Sequence, residues 1–118
     1  MNNKEFSVHL ENRTKAFALS IFRLSESLPN GIEFSVIKKQ LCKSGSSIGA
    51  NYREANRARS LADFKSKIGI CEAEASETCY WLELANSLQH THDFEGILKE
   101  ANELLSIFIS ISKSLKRK

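Results

Sequence analysis

Residues 34–55 read FSVIKKQLCKSGSSIGANYREA, and their spacing decides the fold. Phe34, Ile37, Leu41, Gly45, Ile48, Tyr52 and Ala55 recur at steps of three and four. That period belongs to an α-helix with one apolar face, close to a coiled-coil seam. The helix is expected from about Glu33 to Ala58. Gly45 and Gly49 inside it each cost roughly 1 kcal/mol relative to alanine. Close packing offsets such a cost: Ser44, Gly45, Ser47, Gly49 and Ala50 are all small, so a second helix can come near.

The same period continues on both sides. Upstream, Phe6, Leu10, Phe17, Ile21, Leu24 and Leu28 predict a helix from Lys4 to Leu28. Leu28-Pro29-Asn30-Gly31 ends it, because proline presets a turn and Asn-Gly tolerates the conformations that follow. Downstream, Ser60-Leu61-Ala62-Asp63 reads as a helix start, with Ser60 as N-cap and Asp63 at the third helical position. A third helix is expected from Leu61 to Gln89 on Phe64, Ile68, Cys71, Ala75, Thr78, Leu82 and Ala85. A fourth is expected from Asp93 to Leu115 on Phe94, Ile97, Ala101, Leu104, Phe108, Ile111 and Leu115. Four long helices with short connections give an all-α, antiparallel up-down-up-down four-helix bundle, a single domain over residues 1–118.

The third helix carries a second apolar stripe, Ile70, Trp81, Leu84 and Leu88, about 120° from the first. A bundle core needs one stripe, so the second belongs either to a wide core contact or to a subunit interface. Glu77 falls within it. That carboxylate is either exposed or paired with an arginine such as Arg53 or Arg57.

No apolar run approaches the ~20 residues of a membrane span. The start, Met1-Asn2-Asn3-Lys4-Glu5, lacks the apolar region of a signal peptide. Together these place the protein in the cytoplasm. Cys42, Cys71 and Cys79 are an odd number without C-x-x-C spacing, so free thiols packed as small apolar groups are expected.

A net charge of +3 conceals an uneven distribution. Residues 38–67 are strongly basic, residues 72–103 strongly acidic, and the tail from Lys113 to Lys118 is basic again. On the second helix Lys39, Lys43, Arg53 and Arg57 share a ridge with Ser46 and Ala50, opposite the apolar face. Arg59 continues the ridge, and Lys65 is its next candidate. Such a ridge is either an ordinary solvated face or a track for a phosphate backbone. No aromatic residue interrupts it, so base stacking on it is not expected.

Catalytic chemistry finds little support. Glu72, Glu74 and Glu77 lack the histidine three residues on that di-metal bundles use. His90-x-His92-Asp93 reads as a surface loop, and nucleophile and phosphate-loop motifs are missing. No catalytic residue, metal or cofactor is expected.

The centre of the chain resembles a known family. The residues that carry the likeness are Ile37-x-x-Gln40-Leu41-x-x-Ser44-Gly45-x-Ser47-Ile48-Gly49-Ala50-Asn51-x-x-Glu54-Ala55, then Ala62-Asp63-Phe64-x-x-Lys67-x-x-Ile70, then Glu72-Ala73-x-x-Ser76-Glu77-Thr78-x-Tyr80-Trp81-Leu82. They resemble the bacterial four-helix-bundle family, also called the 23S rRNA intervening-sequence protein family. The resemblance implies an up-down bundle that assembles with itself, typically as a homopentamer. It implies helix or subunit contacts for Ser44, Ser47, Asn51, Glu54 and Glu77. Some members are encoded within insertions in ribosomal RNA genes. A related branch, the accessory variability proteins of diversity-generating retroelements, forms basic pentamers that bind nucleic acid and a reverse transcriptase. The resemblance supplies no catalytic residues.

The expectation is therefore an oligomeric, non-enzymatic scaffold that binds RNA or DNA through Lys39, Lys43, Arg53, Arg57, Arg59 and Lys65. Its subunits would meet through Ser44, Ser47, Asn51, Ile70, Glu77, Trp81, Leu84 and Leu88. The alternative is an adaptor ring that binds protein and no nucleic acid.

Overall fold

The computed structural model describes residues 2–89 and 94–116. It holds four helices, α1 (Asn3–Ser27), α2 (Ile32–Ala55), α3 (Leu61–Leu88) and α4 (Glu95–Lys116), with no strand among the described residues. Their starts follow from local chemistry. The Asn2 side chain accepts from the Glu5 backbone N–H at 2.7 Å, and its amide donates to the Glu5 carboxylate at 3.1 Å. Ser60 Oγ accepts from the Asp63 N–H at 3.0 Å, the expected cap of α3. Gly31 opens α2 at φ +125°, a conformation that side chains with a Cβ resist. α2 stops before Ala58: Arg57 and Ala58 donate to carbonyls three residues back, tightening the exit into a 3₁₀-like turn.

Contacts between helices fix the topology. Along α1 and α2, Thr14 abuts Gly49, Ile21 abuts Gly45, and Ser25 meets Cys42, so the two run antiparallel. Along α2 and α3, Glu54 meets Lys67, Ile48 meets Cys71, and Ser44 meets Thr78, again antiparallel. α4 runs back along α3, with Asn102 beside Cys79 and Ser112 beside Lys65 and Gly69. The four helices thus go up, down, up and down. Diagonal backbones stay apart, and side chains fill the centre. Tyr52 of α2 and Phe108 of α4 meet there edge to face, with centroids 5.6 Å apart.

The small residues of α2 do the work expected of them. A Cβ on Gly45 would lie 3.0 Å from Ile21 Cγ1 and Cγ2, and one on Gly49 would lie 3.0 Å from Thr14 Oγ1. Ile21 and Thr14 are fully buried, so α1 sits directly on the glycines. α1 and α4 meet more loosely, leaving clefts along their seam. Arg13 bridges it, binding Glu100 through Nε (2.7 Å) and Nη2 (2.6 Å), a two-point pairing that fixes geometry as well as charge.

The core otherwise follows the apolar stripes, with one correction. Phe6, expected inside, is exposed beside Ile107 and Ile111 of α4. It lies at the loosely packed end of the α1–α4 seam, where the helical period no longer guarantees a covering neighbour. Cys71 and Cys79 are buried and Cys42 half-buried, all as free thiols. Burial pushes the Cys71 thiol up to about 12, which keeps it protonated and unreactive at neutral pH. No described helix is long and apolar enough to cross a membrane.

Candidate nucleic-acid interface

The ridge on α2 exists as a surface. Lys39, Lys43 and Arg53 on α2, and Arg57 in the turn just past its end, are all exposed, while Leu41, Ile48 and Tyr52 on the opposite side of α2 are buried. Lys39, Lys43 and Arg57 have no carboxylate within ion-pair distance among the described residues. Arg53 approaches Glu11 of α1 at 3.9 Å, with about half its side chain in solvent. A pair that long and that wet is worth little and competes weakly with a phosphate. Between α1 and α2 the ridge borders a shallow crease lined by Lys15, Ala18, Ser46, Gly49, Ala50 and Arg53. Lys15 is a cation that a search along α2 alone overlooks. Its position follows only from the close α1–α2 approach.

Two residues assigned to the ridge stand elsewhere. Arg59 is exposed in the α2–α3 connection. Lys65 lies on the α4 side of α3, lining a cleft with Gly69, Glu72, Ser112, Leu115 and Lys116. The rotation of α3 about its own axis turns Lys65 away from α2, so it does not extend the ridge. Arg57 is the last ridge residue.

The residues expected to join subunits divide in a similar way. Ser44 has no accessible surface. It is hydrogen-bonded to Thr78 Oγ1 at 2.9 Å, and Thr78 also donates to the Glu74 carbonyl at 2.8 Å. Ser44 therefore joins α2 to α3 within the bundle and cannot touch another subunit. Ser47 and Asn51 are half-buried and bond to each other, with Asn51 Nδ2 2.8 Å from Ser47 Oγ. Ile70 and Leu88 are exposed, and Trp81 and Leu84 are half-buried against the core. Tyr80, which the stripe did not include, is also exposed and stacks edge to face on Trp81 at 5.1 Å. Trp81 Nε1 is buried without an acceptor among the described residues. Glu77 is exposed and pairs with no described cation, Arg53 being turned toward Glu11. The outer side of α3 thus presents the exposed apolar side chains Ile70, Tyr80 and Leu88 with the Glu77 carboxylate among them, and other polar residues such as Ser76 and Glu83 are exposed on the same helix.

Glu74, one turn from Glu77 and Thr78, is held above the ordinary carboxylate range. Burial is the main cause, the Glu77 charge adds to it, and Lys43 pulls the other way. A carboxyl whose folded pKa is raised favours the fold most when protonated, and that advantage is lost as pH rises through the folded value. Glu74→Gln should therefore raise stability at pH 7 by about 0.5 kcal/mol, the scale of a surface substitution. Near pH 4 the variant and the parent should converge. Urea titration at the two pH values reads this, and an equal gain at both would contradict it.

Among the described residues no group of three histidine, cysteine or acidic side chains is arranged to hold a metal ion. The His90-x-His92-Asp93 segment lies outside the described residues.

The fold and its surface define a small four-helix bundle with a basic ridge and an apolar outer helix face. Residues 8–110 match the family described as 23S rRNA-intervening sequence protein, and the chain belongs to that family. It is also similar to a crystal structure of a protein of unknown function from the S23 ribosomal protein family of Bacteroides thetaiotaomicron. The two are 39% identical with a TM-score of 0.80, over 91% of this chain and 97% of the other. Curated proteins give no match.

Proposed function

We propose that this protein is a non-enzymatic cytoplasmic scaffold that assembles with itself and binds RNA or DNA through phosphate contacts on the outward ridge of α2. The supporting observation is the set of cations at Lys39, Lys43 and Arg57, exposed and with no carboxylate within ion-pair distance among the described residues. Four cations at helical spacing neutralise phosphates without reading base edges. The ridge lacks an exposed aromatic platform, so contact is with the backbone and largely independent of sequence.

Titrating labelled RNA and DNA at two salt concentrations tests this. With about four phosphate contacts, affinity should fall about a hundredfold between about 50 and 200 mM salt. The triple charge reversal Lys39→Glu, Lys43→Glu, Arg53→Glu should weaken binding uniformly across sequences and flatten the salt dependence. Binding that ignores both salt and these reversals would remove the ridge from the proposal.

A second reading draws support from the exposed Tyr80, Ile70 and Leu88. In it the assembled protein is an adaptor that docks another protein and leaves nucleic acid alone. Wild-type protein that binds no nucleic acid at low salt would favour it.

A further inference from the structure

The uneven charge along the chain becomes, in three dimensions, a polarity between the two ends of the bundle. One end collects the start of α1, the end of α2, the start of α3 and the end of α4. That arrangement brings Lys4, Arg57, Arg59, Lys65, Lys113 and Lys116 to one end. Three of them are neighbours in sequence and the other three come from both extremities of the chain. Five are exposed and Lys65 is half-buried. None has an ion-pair partner among the described residues.

The carboxylates at that end are fewer than the cations. Glu5 is engaged with Asn2, Glu11 accepts from Asn56 at 2.8 Å, Glu54 accepts from Lys67 at 3.1 Å, Asp63 sits in the first turn of α3, and Glu72 lines the cleft beside Lys65. The opposite end is balanced, with Arg23, Lys38 and Lys39 set against Glu26, Glu33, Glu83 and Glu95. The molecule measures 46 × 25 × 21 Å, so the basic end presents a face of roughly 25 × 21 Å.

We infer that this basic end is the main seat of a nucleic-acid duplex, with the α2 ridge as its extension around the corner at Arg57. This inference rests on the nucleic-acid reading above and says where and in what form the polyanion binds. The choice of a duplex follows from three observations. The cations come from α1, the α2–α3 connection, α3 and α4, so they spread over a face instead of lining a narrow strand-wide groove. They have no exposed aromatic among them apart from Phe6 in the α1–α4 crease, so a single strand finds no stacking platform. And a duplex carries one charge per about 1.7 Å of its axis, so a face some 25 Å across meets several phosphates at once. Lys65 and Lys116 stand on the two sides of the α3–α4 cleft, with the half-buried Ser112 between them. A phosphate at the mouth of that cleft meets two cations and a hydroxyl, with the Glu72 carboxylate on the same lining, two turns along α3 from Lys65.

The test compares two variants of the full chain against a labelled duplex of arbitrary sequence and a single strand of equal length. The end variant is Arg59→Glu, Lys65→Glu, Lys116→Glu. The ridge variant is Lys39→Glu, Lys43→Glu. Thermal melting by circular dichroism checks that each still folds, and the neutral triple Arg59→Gln, Lys65→Gln, Lys116→Gln replaces the end variant if it does not. The end variant should lose at least about tenfold in duplex affinity and reduce the salt slope by about three, one for each phosphate contact removed. The ridge variant should lose less. An end variant that binds like the parent while the ridge variant fails overturns the inference and leaves the nucleic-acid reading standing. A parent that binds only the single strand overturns the duplex assignment. A parent that binds neither overturns both.

Discussion

Gly45→Leu should destabilise the bundle by about 3 kcal/mol, the upper end of what overpacking a well-filled core costs. For a domain of this size that is a fall of roughly 10 °C in Tm. The argument is steric. The first added carbon alone would lie 3.0 Å from two side-chain carbons of Ile21, Cγ1 and Cγ2, and leucine brings three carbons more. Ile21 is fully buried and backed by the core, so it has nowhere to retreat. Helix propensity works in the opposite direction, since replacing a mid-helix glycine gains about 1 kcal/mol. The loss must exceed that gain to be seen. Gly45→Ala sets the two effects nearly against each other and should change stability little. Pairing Gly45→Leu with Ile21→Ala makes the test specific. Ile21→Ala alone empties volume and should cost 2–5 kcal/mol, the usual range for a buried aliphatic residue, here about 3. The double variant should be more stable than the sum of the two losses by about 1–3 kcal/mol, because the new leucine fills the space that isoleucine left. Chemical denaturation of the four proteins gives the cycle. A Gly45→Leu protein as stable as the parent, or a cycle with no coupling, would mean that α1 and α2 do not pack at this distance.

That contact was legible in the sequence as a demand without an address. Two glycines inside a strongly periodic helix require a close neighbour, and the run of small residues around them marks the face. Which helix comes near, and which of its residues, depends on how four amphipathic elements share one core. Ser44 shows the limit. Its place in a small, polar segment is compatible with a subunit contact, and only the opposing Thr78 makes it an interior hydroxyl. Lys65 shows a second one. Sequence adjacency to Arg57 and Arg59 groups it with the ridge, but the axial rotation of α3 places it on the α4 side. Exposed Val8, Leu19 and Phe22 on α1 escaped notice because they fall off the core stripe, where periodicity has nothing to say. The charge blocks were plain along the chain. Their meaning as one basic end came only from the antiparallel topology, which folds the acidic block between two basic ones and brings those two together. The stripes, the cap at Ser60 and the turn at Gly31 needed no such information, since each is decided by residues within a few positions.

Ile70→Glu with Leu88→Glu should leave the bundle folded and take its assembly apart. The expected change is the largest available in mass, fivefold if the assembly has the five copies that the family resemblance implies. Both side chains are substantially exposed in the single chain, 38% and 53%, so placing carboxylates there costs the isolated bundle little. In an assembly that covers this face the same carboxylates are desolvated beside Glu77, with no partner built to receive them. The two substitutions lie 18 positions apart on α3, about five turns, so they span the face from one end to the other. A helix with a second apolar stripe beyond its core contact offers a face for another surface to cover. Here the core covers one side, and Tyr80, Trp81 and Leu84 remain with Ile70 and Leu88 on the other. Light scattering at micromolar concentration should report a multiple of 13.3 kDa for the parent and a single chain for the double variant, with cooperative melting retained in both. A variant that keeps the parent's mass would move the interface elsewhere, and the exposed Val8, Leu19 and Phe22 face of α1 would be the next to change. A parent that is itself a monomer would end the assembly proposal, leaving the apolar face of α3 as a surface for a different protein.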